Sequence, residues 1–146
     1  MKSGKAGVVL KQVGDLLIIL GSIEICPSIV ASIYEEWFSA IGFVLSGIFT
    51  SSVGYILHKK YLSTEAPHYS QVLIIVAIVW LVLTIFGGLP FFVISYITPV
   101  SVMNHFIPTG ALYNDSSLIF FRNPLHCFFE SMSAYTTTGL SMVLHE

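Results

Sequence analysis

Long apolar stretches separated by short polar connections dominate the pattern along the chain. Three of them, from about Val13 to Ile33, Trp37 to Leu57 and Val72 to Ile97, are long enough to cross a bilayer. About 20 helical residues, at 1.5 Å each, cover a hydrocarbon core of about 30 Å. The pattern therefore predicts an all-α membrane protein with three transmembrane helices, the first two forming a tight hairpin.

The first stretch also resembles a secretory signal peptide, because Lys2, Lys5 and Lys11 supply a basic start. Its apolar run is too long for a signal peptide, contains Asp15 and Glu24, and has no clear small-x-small cleavage site. A retained helix is the favoured interpretation. For both carboxylates we favour structural roles, with Asp15 near the cytoplasmic boundary and Glu24 deeper, where it needs a polar partner.

The basic residues of the short connections predict how the spans are oriented. One side carries five of them and the other only Arg122; the five are Lys2, Lys5, Lys11, Lys59 and Lys60. Positive charge marks the cytoplasmic side. We therefore expect a multi-pass protein of the plasma membrane, with a cytoplasmic amino terminus and an outer region after Ile97.

Composition supports a lipid environment and excludes several functional classes. The chain is 55% hydrophobic and 10% charged, with a mean hydropathy of +0.84, whereas soluble domains carry roughly a quarter charged residues. A net charge of −2 gives no reason to expect nucleic acid. The five histidines lack metal-ligand spacing, and Cys26 and Cys127 are interpreted as small packing residues. Without a nucleophile–base pair or phosphate loop, we expect neither an enzyme nor a bound cofactor.

The third span and the segment after it carry the candidate chemistry. Gly87-Gly88-Leu89-Pro90 predicts a kink near residues 86–90, where the missing side chains allow another segment to approach the backbone closely. Asn123-Pro124 is a good helix start. A helix from Pro124 to about Tyr135 spans about 18 Å, roughly half a bilayer.

A half-length helix followed by a polar tract is typical of a re-entrant segment. Thr136, Thr137, Thr138 and Gly139 do not continue a helix comfortably, and non-helical backbone at membrane depth has to be buried in protein or line a wet cavity. We expect the tract to be extended, and successive carbonyl oxygens of an extended Thr-Thr-Gly strand can replace the hydration shell of a cation. Gly139 permits the required backbone angles, and the carboxyl end of the preceding helix carries partial negative charge.

Residues 80–92 (WLVLTIFGGLPFF) and 128–141 (FFESMSAYTTTGLS) resemble the Trk/Ktr/HKT superfamily of potassium transporters, most closely its Trk-type membrane subunit. The resemblance implies four successive helix–pore loop–helix units around one ion path. It implies that Thr136, Thr137, Thr138, Gly139 and Leu140 form one quarter of the selectivity filter and its only metal site, for potassium.

The same resemblance assigns further roles and partners. Glu130 matches an acidic position of the pore helix, which we expect it to anchor through a hydrogen bond or ion pair. Gly139 matches the glycine associated with potassium preference, and sodium-selective members can carry serine there, so Na⁺ stays open as a second transported ion. A homodimer and a cytoplasmic nucleotide-binding regulatory subunit are the implied protein partners.

Family proteins are considerably longer, and the sequence is expected to be an amino-terminal fragment. Residues 1–60 would form a two-helix transmembrane hairpin, and residues 61–146 a first pore unit truncated before its second helix. Such a chain is predicted to be inactive alone, because one strand lacks most of the coordinating oxygens and the remaining pore repeats have to supply them. The alternative is a small membrane-anchored interaction or assembly protein without transport activity.

Overall fold

The computed structural model describes residues 5–62, 69–107 and 116–143, and every regular element in those ranges is helical. The α-helices are α1 (Lys5–Ile25), α2 (Pro27–Ile33), α3 (Trp37–Lys60), α4 (Tyr69–Gly87), α5 (Leu89–Ile97), α6 (Val100–Met103) and α7 (Pro124–Tyr135). Two 3-10 helices, Asn104–Phe106 and Ser117–Arg122, lie between α6 and α7. The all-helical prediction is confirmed for these ranges, and Lys2 of the orientation argument lies outside them.

Three helical stretches are long and apolar enough to cross a membrane: Ala6–Ile33 with 28 residues, Trp37–Lys60 with 24 and Val72–Ile97 with 26. The predicted number of spans is therefore confirmed. Many large apolar side chains of these stretches are exposed at the protein surface. Lipid tails can solvate such a surface in a membrane protein.

Proline interrupts two of these stretches. At the position of the predicted kink the helix is interrupted: α4 ends at Gly87 and α5 begins at Leu89, with Pro90 in its first turn. The first stretch also breaks, between α1 and α2 at Cys26, where Pro27 lacks an amide hydrogen. That break was not predicted, since the apolar pattern continues through it.

α1 and α3 form the predicted hairpin and pack backbone to backbone. A methyl group on Gly21 would lie 2.6 Å from the Gly47 carbonyl oxygen and 2.7 Å from the Ser51 amide nitrogen. Gly14 and Gly54 make a second close approach nearer the other end of the hairpin. Small residues let helices approach closely where the hydrophobic effect between them is weak, as it is in lipid.

At that other end, a polar contact joins the two helices. Nδ1 of His58 lies 2.5 Å from Oδ1 of Asp15, a contact that the spacing of the histidines did not predict. Both groups are about one-third exposed, so the pair contributes modestly to stability. Its position at the end of the spans agrees with the expected boundary location of Asp15.

α4 completes the core by packing against α1. The buried cluster consists of Val9, Val13, Leu17, Leu20 and Ile75, and Tyr135 of α7 packs against it. The core therefore connects the first span, the third span and the last helix.

The contact at Gly21 provides a test of this packing. Gly21→Val should lower the free energy of unfolding in detergent by about 1–3 kcal/mol, because the added methyl groups force α1 and α3 apart. Ser22→Val is the matched control, since Ser22 is exposed one position further along the same helix. Equal losses for the two variants would contradict the close α1–α3 contact.

Candidate functional site

The start of α7 is fixed by its own sequence. The Asn123 side chain accepts a hydrogen bond from the Leu125 amide at 3.0 Å, and Pro124 occupies the first turn. The Asn side chain at the cap accepts a hydrogen bond from one of the free amides of a helix start. Pro at the first helical position has no amide hydrogen that would need a partner. The predicted start of this helix and its length of 12 residues are both confirmed.

The residues just before α7 hold it to the carboxyl-terminal end of the third span. Nε of Arg122 donates to the Ser95 carbonyl oxygen at 3.1 Å, and its guanidinium lies 5.8 Å from the centre of the Tyr96 ring. Phe121 is buried and stacks on Phe91, with ring centres 5.2 Å apart. α7 therefore begins beside the last turns of α5.

The carboxyl end of α7 reaches the centre of the third span. The midpoint of Val72–Ile97 falls beside Thr84, whose hydroxyl lies 3.5 Å from Sδ of Met132. One turn further along the span, a methyl group on Gly87 would lie 2.6 Å from the Tyr135 hydroxyl. α7 thus runs back along α5 and α4 from one end of the span to its middle.

The glycines at the kink make this approach possible. A methyl group on Gly88 would lie 2.9 Å from the Cys127 carbonyl oxygen. At Gly87 the same addition would also meet Oγ of Ser131 at 2.9 Å. The prediction that the two glycines admit another segment is confirmed.

The threonine tract turns the chain at this level. Thr137 and Gly139 have φ angles of 54° and 75°, and the amide of Thr138 closes the end of α7 by donating to the Ser133 carbonyl at 3.0 Å. The hydroxyls of Thr136 and Thr138 lie 2.6 Å apart. Left-handed backbone angles at two nearby positions reverse the chain direction. The tract is therefore a turn at this point and not the fully extended strand that was expected.

After the turn, the chain returns along α7. Oγ of Ser133 donates to the Leu140 carbonyl at 2.5 Å. Glu130, one turn earlier in α7, accepts from the Ser141 hydroxyl and from the Met142 amide, both at 2.8 Å. Val143 then lines the same apolar groove as Phe91 and Ile94 of α5.

Some backbone carbonyl oxygens of the threonine tract accept no hydrogen bond from the described residues. The Leu140 carbonyl is used by Ser133, and the Thr136 carbonyl accepts from the Thr137 hydroxyl at 2.7 Å. No donor within the described ranges reaches the carbonyls of Thr137, Thr138 or Gly139. The tract borders an open groove of about 320 Å³ that Glu130, Ser133, Gly139 and Ser141 also line. Oxygen donors of this kind suit hard cations.

Four of the six sequence-predicted residues therefore line one groove, Thr136 and Thr138 do not line it, and two further residues join the site. Thr137, Gly139, Leu140 and Glu130 share the groove, while the assignment of the five filter residues to an ion stays a prediction. Ser133 and Ser141, which fasten the returning strand, were missed because a serine in a helix or turn carries no signal of its contacts.

The cysteines differ from each other. Cys127 is buried, as expected of a packing residue, and its thiol donates to the Phe121 carbonyl at 3.0 Å. Burial raises the pKa of this thiol to about 11, so it stays protonated at neutral pH. Cys26 is exposed instead, because the break before Pro27 turns it outward. No cluster of metal-ligating side chains occurs in the part of the chain that the structure describes.

The Glu130 contacts predict a local change in backbone protection. Glu130→Ala removes two hydrogen bonds to a charged acceptor, each worth about 1.5–3 kcal/mol, so the Met142 amide should exchange with solvent at least tenfold faster. Glu36→Ala, in the exposed turn before α3, serves as the control and should leave that rate unchanged. Unchanged exchange in Glu130→Ala would show that the carboxylate does not fasten the return strand.

Comparison with known proteins identifies one curated relative. The chain is 24% identical over 135 residues to an uncharacterized cation transporter of Methanocaldococcus jannaschii. The match covers 92% of this chain and 23% of the relative, so the chain spans about a quarter of that protein's length. No family model matches the chain, and no solved structure matches it. The three apolar helices point to a membrane protein, and the relative that the chain matches carries the name of a cation transporter.

Proposed function

We propose that the chain forms part of a potassium uptake transporter of the plasma membrane and that residues 136–140 form one strand of its selectivity filter. The observation that carries the proposal is the position of Tyr135. The carboxyl end of α7 lies beside Gly87, near the middle of the third span, and the chain turns back there.

This position supports a re-entrant path. A helix that begins beside Ser95 and places Met132 beside Thr84 reaches about the middle of the span. The residues after it return along the same helix instead of crossing to the other side. Backbone without helical hydrogen bonds is tolerated at membrane depth where it lines a water-filled cavity.

The electrostatics at the turn favour a cation. The carboxyl end of α7 carries a partial negative charge, and the carbonyls of Thr137, Thr138 and Gly139 accept no hydrogen bond from the described residues. Carbonyl rings replace the hydration shell of K⁺ in selectivity filters. The positive φ of Gly139 is a backbone conformation that other L-residues adopt at a cost of about 1–2 kcal/mol.

One strand supplies only part of such a ring, so further segments have to complete it. The relative matches over only 23% of its length, which leaves room in that protein for additional pore units. Potassium rather than sodium as the preferred ion, a homodimer, a cytoplasmic nucleotide-binding regulatory subunit and a cytoplasmic amino terminus all belong to the proposal. They rest on the family resemblance and on the lysine distribution.

A chimaeric transporter tests this function. The aligned part of the M. jannaschii relative is replaced by this chain, and uptake of Rb⁺ and Na⁺ is measured in bacteria that lack their own potassium uptake. The chimaera should restore Rb⁺ uptake. Gly139→Ser should reduce the ratio of Rb⁺ to Na⁺ uptake about tenfold or more, because the altered backbone no longer presents its carbonyls to the larger ion.

The matched control is Ser52→Ala, on an exposed face of α3, which should leave the ratio unchanged. Amounts of each chimaera in the membrane are compared to separate folding from transport. A chimaera that reaches the membrane and restores uptake, but whose ion ratio is insensitive to Gly139→Ser, would contradict the filter assignment. It would favour an interaction or assembly role for this part of the chain.

A further inference from the structure

A buried carboxylate lies in the first span, close to the end of α7. Glu24 is only 7% exposed, and it lies nine residues before Ile33, the last residue of the span, or about 14 Å along the helix axis. Both of its oxygens lack a hydrogen-bond partner among the described residues. The sequence predicts a polar partner for Glu24, and no described residue supplies one through a hydrogen bond.

Three elements packed around Glu24 show what it faces. From α3, the hydroxyl of Thr50 is fully buried beside the carboxylate but makes no hydrogen bond. From α7, Tyr135 packs on the cluster that contains Leu20, one turn before Glu24. α4 carries no ionisable side chain from Val72 to its end.

The charged groups that could compensate Glu24 are engaged or distant. Asp15 and His58 pair with each other at the other end of the hairpin, Lys59 and Lys60 end α3, and α2 has no ionisable residue. In the described ranges, no basic side chain forms an ion pair with Glu24. The carboxyl end of α7 is itself partially negative, so it disfavours a second negative charge nearby.

An ionised carboxylate in this position would be costly. Removing such a group from water is strongly unfavourable even after relaxation, and buried acids usually become neutral instead. A proton neutralises Glu24 without requiring additional volume. The hydroxyls of Thr50 and Tyr135 provide neutral polar surroundings for the resulting acid.

We propose that Glu24 is a proton-binding site inside the bundle and that its bound proton keeps the carboxyl end of α7 seated against Gly87. This inference rests on burial and packing and does not depend on ion transport. At neutral pH and below, the proton is present and α7 is seated. As the pH rises and Glu24 ionises, water enters to solvate the charge and separates Ser131 and Tyr135 from Gly87.

Infrared spectroscopy of the whole chain in lipid bilayers tests the first part. At neutral pH the wild-type chain should show the carbonyl stretch of a protonated carboxylic acid, and Glu24→Gln should lose it. Asp15→Asn and Glu130→Gln are controls that should retain the band. Lack of the band in the wild-type chain, or its persistence in Glu24→Gln, would overturn the proposal; a band that disappears when Na⁺ or K⁺ is added would instead identify an alkali-cation site.

Thiol accessibility tests the coupling to α7. Ser131 is 2% exposed next to Gly87, so Ser131→Cys, in a chain whose two native cysteines are replaced by serine, reports separation of the helix. Its labelling rate should rise severalfold in a step at the pH where the infrared band disappears. The same chain with Glu24→Gln should show only the smooth rise of thiol ionisation. Identical labelling curves for the two chains would refute the coupling.

Discussion

The close approach of α7 to the glycine break in the third span is the contact on which the rest of the structure depends. The absence of side chains at Gly87 and Gly88 allows Tyr135 and Cys127 to lie against the backbone of the span. Pro90 ends the α4 hydrogen-bond ladder at the same place. One local interruption therefore both breaks the helix of the span and provides the surface against which α7 packs.

The orientation of α7 follows from that contact together with its anchored start. Arg122 and Phe121 hold the start of α7 to α5, and the contact at Gly87 fixes its carboxyl end. The helix dipole then directs negative potential to the level at which the threonine tract turns. The proposed cation at the turn and the proposed proton on Glu24 would each balance part of this potential.

Much of this arrangement could be predicted from the sequence because the responsible signals are local. Hydrophobic length gave the three spans, Asn123 and Pro124 gave the start of α7, and the kink followed from the Gly-Gly-Leu-Pro pattern. The unexpected features depend on contacts between distant residues. The pairing of Asp15 with His58, the fastening of Leu140 by Ser133 and the unpartnered state of Glu24 result from helix packing, which a single sequence does not specify. The exposure of Cys26 accompanies the helix break before Pro27. The hydrophobic pattern continues through this break and does not predict it.

The central claim is that the chain reverses direction in the middle of the bilayer, and the depth of Thr138 tests it most directly. A fluorophore is attached to Thr138→Cys in a chain without its native cysteines, and quenching is compared between lipids that carry a quencher at the headgroup or at the tail end. Ile85→Cys, exposed at the centre of the third span, and Glu35→Cys, in the turn between α2 and α3, calibrate the centre and the surface. The account predicts a depth for position 138 that matches position 85. A depth that matches position 35 would place the tract in water and contradict the account.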